Sequence, residues 1–510
     1  MRGRGGSRRP VPGDLVAGVS VALLAIPQSM AYAELAGLPA HHGLYAAALP
    51  PIAAACFASS RYLQTGPVAL TSLLTLGALA PLAARGSTHY VELAALLALV
   101  VGVSRVGLGL LRAGVVAFLM SEPVLRGFTS AAAVLIVCSQ LPSALGVEAP
   151  VDGVLAGAWW GIRHVELWDA PSVLLAALTV AIIFGARRLH PLVPGVLLAT
   201  AIGIAYSQMV DYSGPTLGVI PDRLPPVGFD FAWSGLRSLI LPGIVIALVG
   251  FAEPAAISRT LAARDRESWN PDREFVSQGV ANVVSGLASG FPVGGSFSRS
   301  NLNRMAGAKT RWSGAVTGAA VILFLPFAPV LSPLPRAVLS AIVIAAGAGL
   351  IRVQSLRGLW RFSPPQALVA YVTFALTLGL APHIEQAILL GVLLSVAVHL
   401  WRELTPTVRS WTEGKSLHLE PQGVLWFGSA PSVETAFLKA ISQHDGLDRV
   451  VIHLGGLGRL DLTGALTLGQ LLDDAAAAGL DAQLVEVPPH AARILGSCLG
   501  WKSEGTAPTT

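Results

Sequence analysis

Charge is scarce in this chain. Of its 510 residues only 12% are Asp, Glu, Lys or Arg, against about 25% in an ordinary soluble domain. Hydrophobic residues make up 53%, and the mean hydropathy is +0.64. A water-soluble fold has no way to hide that much apolar surface, so a wholly soluble class is excluded. Lipid removes the conflict, because it solvates apolar side chains while helices satisfy their own backbone groups. Cysteine is nearly absent as well: Cys56, Cys138 and Cys498 lie far apart with no CxxC pair, which excludes a disulfide framework and a zinc site. The two that sit in apolar runs read as small buried hydrophobes. The spans hold no His/Cys/Asp cluster and no nucleophile elbow, and the tail has no GxxxxGK[ST] loop. Enzyme chemistry and ATP-driven transport are therefore disfavoured, and no cofactor or metal is called for. No basic stripe with interleaved aromatics appears either, which argues against nucleic acid as a partner.

The charge that is present is unevenly spread. From Glu413 onward the net charge is −5, whereas the residues before it carry +10. A basic apolar body suits loops beside an anionic leaflet, and an acidic tail suits water. Arg2, Arg4, Arg8 and Arg9 precede the first apolar run, which has no A-x-A cleavage site. That predicts an uncleaved, cytoplasmic N-terminus in the cell's inner (plasma) membrane.

Apolar stretches of crossing length fall at 14–36, 43–58, 66–84, 90–111, 123–141, 171–186 and 191–210. After a Pro-rich connector they resume at 238–262, 274–289, 296–305, 313–330, 335–350, 366–380 and 384–401. The pattern predicts a polytopic α-helical membrane protein of 14 transmembrane segments. An even count returns the C-terminus to the cytoplasm, in accord with Arg352, Arg357, Arg361, Arg402 and Arg409 beside the later spans. A repeat of seven, an odd number, must be inverted, and such transporters place their site where short or Gly/Pro-broken segments correspond in the two halves. The expected organisation is an N-terminal segment (1–13), a membrane domain (14–402), a linker (403–414) and a small α/β domain (415–510), where strand and helix patterns alternate.

Two motifs carry the chemistry. In QTGPVALTSLL, from Gln64, the Thr65-Gly66-Pro67 run and Val68 open an apolar helix. In FPVGGSFSRSNLNRMAGAKT, from Phe291, Gly295 leads into Ser296, Phe297, Ser298 and Arg299 within an otherwise hydrophobic body. Both read as half-helices with free N-termini, whose N–H donors and partial positive charge suit an anion where water is absent. Arg299 is costly in such a run unless it lines a cavity. Glu253, in IVIALVGFAEPAAIS, is the deepest acidic group; burial favours its protonated form, the property a proton carrier needs, although pairing with Arg299 for packing alone is the plainer alternative. Gln28 and Tyr32 stand one helical turn apart in AIPQSMAYAELAG and share a face. Glu34 reads as an interfacial group, and His41 and His42 read as solvated turn residues. Asp461 and Thr463, in GRLDLTGAL, fall at a strand-to-helix turn that either side chain is suited to cap.

With these motifs in view, the chain resembles the sulfate permease (SulP) family, whose animal members include prestin and pendrin. IPQSMAYAELAGLPAHHGLYAAALP, SSRYLQTGPVA, GFPVGGSFSRSNLNRMAGAKT and the soluble tail occur in the family's order, and the tail resembles a STAS domain with DLTG at its characteristic turn. The resemblance implies two inverted seven-span repeats divided into a core and a gate domain, a homodimer, and an anion held between the third and tenth spans and moved in an elevator-like step. It implies that Gln28, Tyr32, Val68, Glu253, Phe297, Ser298 and Arg299 line the site, and that Thr463 stands where some STAS domains are phosphorylated. Sodium-driven members of the family carry an Asp with a hydroxyl one turn later; here Glu253 is followed at that spacing by Ile257. Sodium is thereby disfavoured and a proton favoured as coupling ion. The expected function is secondary active transport of a small inorganic or organic anion, with an exchanger or uncoupled anion channel as the alternative. Phe297 and Val68 lean the substrate towards a carboxylate or dicarboxylate.

Overall fold

Helix is the conformation these apolar runs must take, because in hydrocarbon each backbone N–H and C=O needs a partner within its own segment. A computed structural model describes residues 10–114, 121–190, 193–351, 353–444 and 446–499. The N-terminal arginines and Arg352 lie outside the described residues. The chain divides into two units, Met1–Val392 and Leu393–Thr510.

In the first half the expected spans are filled by α1 (Pro12–Leu35), α2 (His41–Phe57), α3 (Ala69–Leu79), α4 (Thr88–Leu110), α5 (Glu122–Leu145), α7 (Ala170–Leu189) and α8 (Gly195–Met209), with a short α6 (Val154–Arg163) between the fifth and sixth. The second half follows with α9 (Leu236–Asp265), α10 (Pro271–Leu287), α11 (Phe297–Met305), α12 (Trp312–Phe324, running on as a 3₁₀ turn), α13 (Arg336–Ala348), α15 (Pro364–Gly379) and α16 (Ile384–Leu404). Here too a short helix, α14 (Val353–Phe362), stands between the fifth and sixth spans. Neither α6 nor α14, of 10 residues each, is among the expected spans; their matching positions are a second sign of the repeat.

The first sign is at the centre. Strand β1 (Thr65–Gly66) immediately precedes Pro67 and α3, and β2 (Gly294–Gly295) immediately precedes α11; the two strands pair antiparallel, Thr65 opposite Gly295 and Gly66 opposite Gly294. Equivalent segments of the two halves thus run in opposite directions, as an inverted repeat requires. Helices α1–α4 pack with α9–α12, while α5–α8 pack with α13–α15. The first group contains both half-helices.

Polarity in this unit runs opposite to that of a soluble protein. Leu323, Phe327 and Val330 are exposed, as are Leu174 and Leu178, while Thr71, Ser72, Gln278, Asn282 and Asn303 are buried. Seven helices among the described residues are long and apolar enough to cross a bilayer. Small residues let helices close up: a Cβ on Gly102 of α4 would lie 2.6 Å from the Val283 amide of α10, and one on Gly279 the same distance from the Val106 amide of α4.

Three local expectations give way. His42 is buried near the start of α2, its Nδ1 2.6 Å from the Ser289 carbonyl, so it ties helices together and is no solvated turn residue. Cys56 is exposed and Cys138 half-buried rather than both being buried, since an apolar side chain in this unit has no need of the protein interior. Glu34, expected to be solvated at an interface, is largely buried instead, its carboxylate 3.6 Å from Arg336.

The second unit is a mixed sheet in the order β3-β4-β5-β7, with β6 also paired to β4. Strand β3 (Thr407–Glu413) lies where a linker is expected; it pairs antiparallel with β4 (Ser416–Leu425). β5 (Arg449–His453), β6 (Leu457–Leu460) and β7 (Asp481–Val485) run parallel to their neighbours, joined by α17 (Ala430–Ser442) and α18 (Leu462–Ala477), before α19 (Pro489–Leu499). Leu417 and Leu419 on β4, Val450 and Ile452 on β5, Phe437 on α17 and Leu468 on α18 share one core, the outcome of period-2 strands packed under 3.6-period helices. Asp461 caps α18, its Oδ1 accepting from the Gly464 amide at 2.7 Å. Asp461→Ala should cost about 1 kcal/mol locally. Hydrogen exchange at the first turn of α18 should accordingly speed up by about fivefold, and unchanged protection would show that the cap contributes nothing.

Candidate functional site

The site begins with what a Gly-Pro or Gly-Gly pair does to a chain inside a bilayer. Each halts regular helix, and the exposed main chain must then find partners. Here the two interruptions satisfy each other. Besides the β1–β2 pairing, the Ser296 amide donates to the Gln64 carbonyl at 3.0 Å, and the Gln64 amide donates to Ser300 Oγ at 2.9 Å. Gln278 of α10 donates to Thr65 Oγ1 at 2.7 Å, and Asn282 grips the Val293 backbone through both its amide groups, at 2.9 and 3.0 Å.

From this clasp the two half-helices depart. No side chain caps α3, whose N-cap is Val68, while α11 is capped by Ser296, its Oγ accepting from the Arg299 amide at 3.4 Å. Arg299 is 2% exposed, and its Nη2 donates to the Pro67 carbonyl of the other half at 2.6 Å. Its Nε has no hydrogen-bond partner. A buried, partly unsatisfied guanidinium beside an uncapped helix start is a place where an anion would supply the missing acceptor.

Gly66 holds a positive φ of 153°, and a Cβ there would lie 3.1 Å from Arg299 Nη1. Gly295 is forced differently: a Cβ would lie 2.6 Å from Leu63 and 3.2 Å from Pro254 of α9. Gly66 thus makes room for Arg299, and Gly295 lets the clasp lie against α9 next to Glu253. Glu253 is half-buried, and both it and Tyr32 lie within electrostatic reach of Arg299. Gln28 and Tyr32 are buried on α1, which packs on α3 and α11, and the Gln28 Oε1 has no hydrogen-bond partner. Thr65, Gly66, Val68 and Gly295 are buried in the clasp, and Ser296 is half-buried. Phe297 (51% exposed) and Ser298 are open at the start of α11. Thr463 stands apart in the soluble unit, exposed in the first turn of α18.

Sequence reasoning missed Gln278 and Asn282, whose amides support the clasp, and Arg105 of α4, which is fully buried. A charge amid LALVVGVSRVGLGLL was the available signal for Arg105. The two amides sit in a more polar run and become informative only once their partners are known.

Comparison with known proteins agrees with this architecture. The family model described as "Sulfate permease family" matches residues 11–373, and that of the STAS domain matches residues 412–498. The chain is 34% identical over 418 residues to sulfate transporter 4.1, chloroplastic, of Arabidopsis thaliana, covering 78% of this chain and 59% of the relative; it thus spans about three fifths of that relative's length. It is 29% identical over 524 residues to the sodium-independent sulfate anion transporter of Bos taurus, covering 94% of this chain and 85% of the relative. The structure of the murine solute carrier 26 family member A9 anion transporter in its inward-facing state superposes with a TM-score of 0.87 at 19% identity, over 97% of this chain and 88% of that one.

The geometry singles out Gly66. Gly66→Ala forces a side chain into a left-handed backbone region and against Arg299, and should destabilise the membrane unit by about 1–3 kcal/mol. Gly107→Ala, on α4 with nothing within 4 Å of its Cβ position, should be neutral. Thermal unfolding in detergent separates the two; equal midpoints would show that the clasp tolerates a side chain.

Proposed function

Because the chain belongs to the sulfate permease family and carries a STAS domain, we propose that it is a secondary active transporter that carries small anions across the membrane by proton symport. The observation that carries this reading is the antiparallel clasp, which sets the starts of α3 and α11 beside a buried Arg299 whose Nε lacks an acceptor. Helix-end amides and a guanidinium together favour negative charge, and neither depends on one particular anion shape. Sulfate, named in the relatives, bicarbonate, and a dicarboxylate such as fumarate all meet that requirement. Val68 and the open Phe297 offer apolar surface to a hydrocarbon spacer, which favours the dicarboxylate.

The proposed site residues are Gln28, Tyr32, Thr65, Gly66, Val68, Gly295, Ser296, Phe297, Ser298 and Arg299. Movement is an elevator-like step of α1–α4 with α9–α12 against the remaining spans. Since both half-helices belong to the moving group, the site travels whole. The protein works as a homodimer in the cell's inner membrane with both termini cytoplasmic, a topology supported by the even span count and by Arg361, Arg402 and Arg409 beside the last spans.

Coupling rests on Glu253. An intramembrane carboxylate within reach of Arg299 can hold a proton when the anion is bound and release it on the other side. Ile257, buried one turn on, offers no oxygen to a hard cation, which disfavours sodium. In proteoliposomes an inward proton gradient should drive uphill uptake of labelled sulfate or fumarate by the wild type. Glu253→Gln should move the anion only down its gradient, with a flat pH profile. A wild type that never accumulates anion would favour exchange or a channel, and an unchanged pH profile in the variant would reject Glu253 as the carrier.

We also propose that phosphorylation of Thr463 regulates transport, since added negative charge is favoured in the first turn of a helix. Thr463→Asp should change the uptake rate while leaving the circular dichroism of the chain unaltered; equal rates would count against it.

A further inference from the structure

Arg105 is a full charge with no charged partner in its hydrogen bonds. It stands within α4, 0% exposed. Its Nε donates to the Ala247 carbonyl at 3.1 Å, its Nη2 to the Ile246 carbonyl at 3.2 Å and its Nη1 to the Val293 carbonyl at 3.0 Å. Main-chain dipoles of this kind solvate a guanidinium without neutralising it, and a buried uncompensated charge is expensive in a membrane protein. Fastening α9 to residue 293 needs one donor on each side, and the two N–H donors of a neutral amide can serve one carbonyl on each without carrying charge. The charge itself acts beyond these bonds, on whatever charge lies nearby.

Its location fixes where that charge acts. Val293 is the residue before β2, so the guanidinium lies directly behind one strand of the clasp. A Cβ on Gly250 would sit 2.7 Å from Arg105 Nη2 and 3.2 Å from Thr71 Cγ2 in the first turn of α3, and the Gly250 carbonyl faces Gly294. Arg105 is thus separated from the starts of both half-helices by about one layer of residues. Arg299 reaches the site itself; Arg105 adds a second positive charge behind it.

We infer that Arg105 is a specificity-determining residue whose charge, set behind the clasp, weights the site towards divalent over monovalent anions. The inference rests on the proposed function in taking the clasp as the anion site. At an effective dielectric of about 20, a fixed charge on the order of 10 Å away changes affinity roughly tenfold for each unit of charge on the ligand. A dianion therefore gains roughly tenfold more than a monoanion from this one residue.

The full chain, purified in detergent, is titrated with sulfate and with chloride, and affinities are read from the shift in thermal unfolding. In Arg105→Gln, which keeps two N–H donors and loses the charge, sulfate affinity should fall roughly tenfold more than chloride affinity. Arg105→Lys, which keeps the charge, should hold the wild-type ratio. Arg105→Met is the second neutral variant should the glutamine form fail to fold. If sulfate and chloride weaken by the same factor in the neutral variants, Arg105 serves packing alone and the inference is overturned. A wild type stabilised by neither anion would instead remove the anion-site reading, and this inference with it.

Discussion

The hydrogen bonds that join residues 64–67 to residues 293–300 are the constraint on which the rest of the membrane unit depends. Two broken helices inside a bilayer leave main-chain groups that lipid cannot satisfy, each at a cost of several kcal/mol. The breaks are tolerable here because they are complementary: the strands pair, Ser296 reaches Gln64, and Arg299 reaches Pro67. The polar side chains gathered around them follow from the same need. Gln278, Asn282 and Ser300 are buried because the clasp offers them partners. On the proposed function, a site for a charged solute and a solution to a backbone problem are one structure.

Close approach is the second requirement, and small residues meet it. Gly295 allows the clasp to lie on α9 beside Pro254, Gly250 makes room for Arg105 and for Thr71 of α3, and Gly102 and Gly279 bring α4 onto α10. Pro254 removes a helix hydrogen bond from the Gly250 carbonyl, which turns towards Gly294. Glu253 stands next to that proline, within the continuous helix α9 and beside the interrupted segments of the two halves.

Much of this was legible from residues alone. The fourteen spans were visible because apolar length is a direct demand of the bilayer, and the two short ones stood out because Gly66-Pro67 and Gly294-Gly295 interrupt otherwise continuous runs. Arg299 and Glu253 announced themselves as charges in the wrong solvent. What stayed hidden depends on partners distant in sequence. The pairing of Thr65 with Gly295 joins residues from separate halves, and no local pattern encodes it. Strand β3 escaped notice because RSWTEG has no buried face, and its register comes from β4. His42 looked like a loop residue because its partner, the Ser289 carbonyl, is remote. The short α6 and α14 carry arginines, Arg163 in one and Arg357 and Arg361 in the other, and do not interrupt a longer apolar run, so neither stood out.

The antiparallel relation between the halves has a last consequence, for vectoriality. On the proposed function, one strand and one half-helix of each repeat enter the site in opposite senses, so neither entrance is privileged by the main chain of the clasp. Rectification must then come from outside it, through the concentrations and voltage on the two sides. Inverting those gradients should make the same molecule run in reverse, with no rearrangement beyond the one that forward turnover already uses.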